Sequence, residues 1–146
     1  MKELIFVPLK MINTNAKYHE DIVESYDNFL GFRTKYIGLK SEMGNGFYVP
    51  AGYISTTIED MGNYLRLYLN KDLEDNKQYH INQMIEKKVE VEYNSYYGFG
   101  ILVETRNNQK VYDHKGASNS FLCHFYIYPN SDLAFFAITN TCDNFA

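Results

Sequence analysis

A chain of 146 residues is long enough for one domain with its own core and too short for two of ordinary size. Fourteen Lys plus Arg against eighteen Asp plus Glu leave a formal charge of −4, so there is no basic field to hold a phosphate backbone, and nucleic acid is disfavoured as a partner. Apolar residues at 45% and charged residues at 22% argue against disorder, collagen-like structure and a membrane bundle, and fourteen Tyr with ten Phe and no Trp point to strand-rich, aromatic packing.

The first forty-odd residues are broken up by Pro8, Gly31, Gly38, Gly44 and Gly46, and residues 1–50 read as irregular, with loops, short helical turns and little regular sheet. No window approaches the length of a membrane span, and Met1 to Leu9 lacks the long apolar core of a signal peptide, so no export or membrane address is expected in this stretch. After Pro50 the pattern changes. Thr57 and Asp60 stand in N-cap and N3 relation, and Ile58, Met61, Leu65 and Leu69 then form one apolar stripe, which predicts a helix over 57–70. A weaker helix is predicted over about 78–88, with Ile81, Met84 and Ile85 on one face and Lys87 and Lys88 at its C-terminal end.

From Tyr96 onward the period becomes two. Phe99, Ile101 and Val103 alternate with Gly100, Leu102 and Glu104, and Asn107-Asn108 supplies a tight turn before Val111, Tyr112 and His114. Phe121, Cys123, Phe125 and Ile127 alternate in the next strand, Pro129 to Asp132 turns the chain, and Leu133 to Ile138 is apolar on both faces, as a central, fully covered strand would be. The fold class expected is α+β, with three or four antiparallel strands at about 97–104, 110–116, 120–128 and 133–140 packed with helices. If Tyr128 pairs with Leu133, Cys123 falls opposite Ile138 and out of reach of Cys142, so both are expected to be free thiols; neither has zinc-site spacing.

His114-Lys115-Gly116-Ala117 ends one strand and leads into the polar loop Ser118-Asn119-Ser120. A hydrogen-bonding side chain at a strand end, followed by Gly and a backbone N–H, suits a site that holds a carboxylate and an oxyanion. On spacing alone the segment reads as a polar strand end with a glycine at a bend.

Four segments in order resemble the C-terminal half of the serine beta-lactamase and penicillin-binding protein superfamily, especially class C beta-lactamases and their esterase and D-aminopeptidase relatives. Ile5-Phe6-Val7-Pro8-Leu9-Lys10-Met11 is similar to F-x-P-L-G-M, and Pro50-Ala51-Gly52 with Ser55-Thr56-Thr57-Ile58-Glu59-Asp60-Met61 is similar to P-A-G followed by S-T-x-x-D-M. Tyr97-Gly98-Phe99-Gly100 is similar to Y-G-x-G, and His114-Lys115-Gly116-Ala117 with Phe121 and Pro129 is similar to the [KH]-x-G strand and its successor.

The resemblance implies acyl-enzyme hydrolysis of an amide, ester or beta-lactam by a nucleophile on S-x-x-K, assisted by a Y-x-N group, both upstream of F-x-P-L-G-M. Ser25, Ser41, Ser55, Ser95, Ser118, Ser120 and Ser131 all lack Lys three positions on, and Tyr26-Asp27-Asn28 falls on the wrong side of the Pro-Leu motif, so it reads as coincidence. What carries over is one wall of the site. His114 matches the residue that holds a substrate carboxylate, Gly116 the glycine that lets substrate lie along the strand, and Ala117 the position whose backbone N–H completes the oxyanion hole. Ser120, Leu122 and Cys123 depart from the family pattern around Phe121, which leaves the substrate class open. His19, His80 and His124 are read as structural or solvent-facing.

Two function classes follow: the C-terminal part of a serine hydrolase, inactive without an upstream nucleophile segment, or a non-catalytic scaffold or binding module. No cofactor or metal is implied. The expected partners are a small-molecule or peptide-like substrate in a full-length protein, and a homodimer or an N-terminal half that covers the apolar strand. The resemblance implies an extracytoplasmic or membrane-associated location.

Overall fold

The computed structural model describes residues 1–16, 24–29, 32–37, 52, 54–69, 75–117 and 121–139, the strands between 24 and 37 through their backbone. The architecture is α+β: helices α1 (Ile58–Leu69) and α2 (Asp75–Met84), a two-stranded hairpin of β1 (Glu24–Phe29) and β2 (Phe32–Ile37), and a six-stranded sheet. The sheet takes β3 (Val89–Glu92), β4 (Ser95–Tyr97), β5 (Leu102–Arg106), β6 (Gln109–Ala117), β7 (Leu122–Tyr128) and β8 (Leu133–Thr139) in sequence order. Such a meander needs only short connections, as the turn-rich sequence requires. The chain divides into two compact units, one from Met1–Asp60, Lys115–Cys123 and Ala137–Ala146, the other from Met61–His114 and His124–Phe136. Among the described residues no helix is long and apolar enough to cross a membrane.

In the first unit, a π-helical turn at Lys2–Phe6 buries Phe6, and the backbone returns through a Met11 N–H to Phe6 carbonyl bond of 2.8 Å that buries Met11 beside it. Asn15 and Ser55 then pair as an isolated antiparallel bridge, which brings the start of α1 alongside this segment. Thr57 caps α1 as expected, its Oγ1 accepting the Asp60 N–H at 3.3 Å. The Asp60 carboxylate does other work than complete a capping box. It is 2% exposed, and its Oδ2 accepts the Asn13 N–H at 2.8 Å and the Thr14 hydroxyl at 2.6 Å.

In the second unit the core is built from Leu65 and Tyr68 of α1, Ile81 of α2, Ile101, and the sheet residues Val103, Tyr112 and Ile127. The α1 stripe is therefore centred one turn later than its apolar sequence positions imply: Ile58 is 63% exposed while Tyr68 is buried. Burial is tolerable for Tyr68 because its hydroxyl lies 3.0 Å from that of Tyr64 and donates to the Met84 sulfur at 3.7 Å.

Several expectations are corrected. Residues 1–50 contain the β1–β2 hairpin, paired from Glu24 opposite Ile37 to Phe29 opposite Phe32, where irregular chain was expected. The second helix starts earlier and stops at Met84, so Lys87 and Lys88 lie beyond it; their ammonium groups sit 4.3 Å from the Tyr96 ring centroid and 5.4 Å from that of Phe99. The sheet has six strands instead of three or four, because Val89–Glu92 forms a strand and the stretch 97–104 is divided. The dividing turn follows from two glycines. A Cβ on Gly98 would lie 2.2 Å from the Met84 carbonyl oxygen that ends α2, and Gly100 has φ +76°. Asn107 and Asn108, at φ 49° and 61°, make the expected tight turn into β6.

Strand β8 is not central. It is the terminal strand of the described sheet, with Ala134 and Phe136 turned toward the core and Leu133, Phe135 and Ile138 exposed, Phe135 by 53%. Its doubly apolar sequence therefore marks a face the described residues leave uncovered, and not a strand enclosed by them.

Candidate functional site

His114, Gly116 and Ala117, the residues expected to form one wall of a site, lie near the end of β6. Alternation along β6 puts Asp113 and His114 on opposite faces, and each has neighbours of its own. His114 belongs to the second unit and Gly116 and Ala117 to the first.

The His114 imidazole is half-buried. Its Nε2 lies 3.0 Å from the Tyr97 hydroxyl, and its ring stacks on Phe125 at 6.3 Å between centroids with the planes 26° apart. These two neighbours fix the ring in place, one through a polar tip and one through a flat face. Tyr97 opens Tyr-Gly-Phe-Gly and Phe125 lies on the inward-alternating set of β7, so both were visible in sequence, but nothing there assigned them to His114.

Gly116 packs against the next strand of the sheet. A Cβ at this position would lie 2.6 Å from the Cys123 sulfur, so a side chain here would force the thiol or the strand to shift. Burial pushes the Cys123 thiol up, and a hydrogen bond from the Gly116 backbone offsets part of this. Cys123 is a free thiol, as expected. Cys142 and the loop Ser118-Asn119-Ser120 lie outside the described residues, as does His19. Ala117 is the exposed last residue of β6.

On the other face of β6, Asp113 is buried at 3% exposure within an ionic network absent from the sequence reading. Arg106 Nη2 reaches its Oδ2 at 3.2 Å, and His124 Nε2 its Oδ1 at 3.3 Å; Arg106 also pairs with Glu104, which accepts the Ser95 hydroxyl at 3.0 Å. The His124 ring packs 4.0 Å from that of Tyr126, over which the Arg106 guanidinium lies. Burial lowers the Arg106 pKa, but the Tyr126, Glu104 and Asp113 interactions outweigh it and raise the net value. His124 is thus structural, as expected. His80 is exposed on α2 beside Tyr79. Tyr26-Asp27-Asn28 lies within β1. Among the described residues no three His, Cys, Asp or Glu side chains gather as a metal site.

The fold is shared with penicillin-binding proteins and amidohydrolases. The octameric penicillin-binding protein homologue from Pyrococcus abyssi superposes with a TM-score of 0.76 at 17% identity, over 95% of this chain and 32% of its own. The penicillin-binding protein from Bacillus halodurans gives 0.69 at 18% identity, over 96% of this chain and 44% of its own, and the D-stereospecific amidohydrolase from Streptomyces sp. gives 0.65 at 17%, over 96% and 42%. This chain thus spans less than half the length of these proteins. No curated protein matches it. The beta-lactamase family model matches residues 1–144, and the chain belongs to that family.

Proposed function

We propose that the chain supplies the oxyanion and carboxylate wall of a serine hydrolase site, for acyl-enzyme hydrolysis of an amide, ester or beta-lactam whose nucleophile comes from an S-x-x-K segment outside these residues. What supports this reading is the end of β6, with a ring-stacked, hydroxyl-bonded histidine and a glycine whose Cβ would meet the Cys123 sulfur, in a chain that the beta-lactamase family model matches. In this reading His114 holds a substrate carboxylate, Gly116 admits substrate against the strand, and the Ala117 N–H stabilises the tetrahedral oxyanion. A donor of this kind acts only on charge that a nucleophile and base have generated. The 146 residues by themselves are therefore inactive.

The test is covalent labelling of the chain with a fluorescent beta-lactam and a serine-reactive phosphonate, followed by peptide mapping. No adduct is expected on any of the seven serines. A mapped seryl adduct would overturn the assignment of the nucleophile to another segment.

A further inference from the structure

We infer that Tyr97 is a positioning residue for His114: its hydroxyl donates to Nε2, holds the neutral imidazole as the Nδ1–H tautomer, and so leaves Nδ1–H as the donor offered to an anionic substrate group. The last clause rests on the site proposed above; the tautomer itself does not.

The geometry comes from three elements of the second unit. Tyr97 ends β4, His114 lies near the end of β6 and Phe125 is in β7, and the three rings lie in series, with Tyr97 and His114 centroids 6.3 Å apart and planes at 51°. The Tyr97–His114 contact of 3.0 Å links a phenol and an imidazole nitrogen. An imidazole nitrogen is far more basic than a phenol oxygen, so in the neutral pair the phenol is the donor and the nitrogen the acceptor. Once Nε2 accepts, the single ring proton of neutral His114 must sit on Nδ1.

The tyrosine is itself held from behind. Gly98, the next residue, is pressed on the Met84 carbonyl, its N–H bonds the Ile101 carbonyl at 2.8 Å, and the Phe99 N–H bonds the same Met84 carbonyl at 3.0 Å. Tyr-Gly-Phe-Gly therefore has two duties. Gly98 and the Phe99 N–H dock the strand end on the C-terminus of α2, and its tyrosine sets the protonation pattern of the histidine. Phe125, stacked on the imidazole, limits rotation of the ring that would exchange the two nitrogens.

The experiment is long-range ¹H–¹⁵N NMR of the full chain labelled with ¹⁵N-histidine, at a pH of about 8, above the imidazole titration range, with His114 assigned by its loss in His114→Gln. The wild type should show Nδ1 protonated and Nε2 unprotonated as the major form. Tyr97→Phe keeps the ring and removes the donor, and should move the tautomer ratio about fivefold toward Nε2–H, the population equivalent of one ordinary hydrogen bond. A wild-type His114 that is mainly Nε2–H would overturn the inference without any variant, and an unchanged ratio in a folded Tyr97→Phe would do the same. If the ratio shifts while His114→Ala leaves turnover of a catalytically complete protein unchanged, positioning stands and the proposed role of His114 fails; the reverse result separates them the other way.

Discussion

Gly116 meets two demands at one Cα. The substrate reading needs an open strand edge, and the fold needs space for the Cys123 sulfur, 2.6 Å from where a Cβ would stand. The second demand makes a stability prediction that owes nothing to catalysis. Gly116→Ala should lose about 1–3 kcal/mol, the usual cost of forcing atoms into a packed contact. Truncating the neighbour relieves the clash, so Cys123→Ala should restore at least half of that loss in the double variant, measured as a denaturation cycle. Additive losses would show that the sulfur is not what excludes a side chain. At this scale the sequence marked the candidate residues but little of their surroundings. His114 and Gly116 stand out because a strand motif fixes their spacing, whereas the Tyr97–His114 and Gly116–Cys123 contacts join residues on different strands, and no local pattern encodes which strands are adjacent.

Among the elements, α1 is the one whose start was most legible, since a cap is a local device: Thr57 accepts the N3 amide within one turn. The long-range half of Asp60 was not legible, because Asn13 and Thr14 lie more than forty positions away. The two contributions are separable. Thr57→Ala should cost about 1 kcal/mol, while Asp60→Ala, which leaves a backbone N–H and a hydroxyl without their acceptor, should cost about 1–3 kcal/mol more. Urea midpoints at unchanged slope would measure both, and an Asp60 variant no worse than the Thr57 variant would contradict the clasp. The β1–β2 hairpin escaped the sequence reading for a related reason. Glu24-Ser25-Tyr26-Asp27-Asn28-Phe29 is poor in strand-favouring residues, and pairing with Phe32–Ile37 decides its state. Strand β3 is different: Val89 and Val91 do alternate with Glu90 and Glu92, yet all four are exposed, so the alternation reports no buried face.

For the whole molecule, the sequence of β8 is apolar on both faces, and among the described residues one face packs against the core. Leu133, Phe135 and Ile138 remain exposed on its terminal strand. We propose that the isolated chain associates through such surface. Sedimentation should show mass rising with concentration through the micromolar range, with binding of an apolar dye; a monomer throughout that binds none would contradict it. The reading of the site is a separate matter, and it is tested most directly by kinetics. In a protein that joins these residues to an S-x-x-K segment, His114→Ala should lower kcat/KM for a carboxylate-bearing substrate by about 10- to 100-fold, the loss expected for a charge-assisted hydrogen bond, with the unfolding midpoint little changed. Unchanged kcat/KM in the folded variant would contradict the assignment of the β6 strand end as the wall of the site.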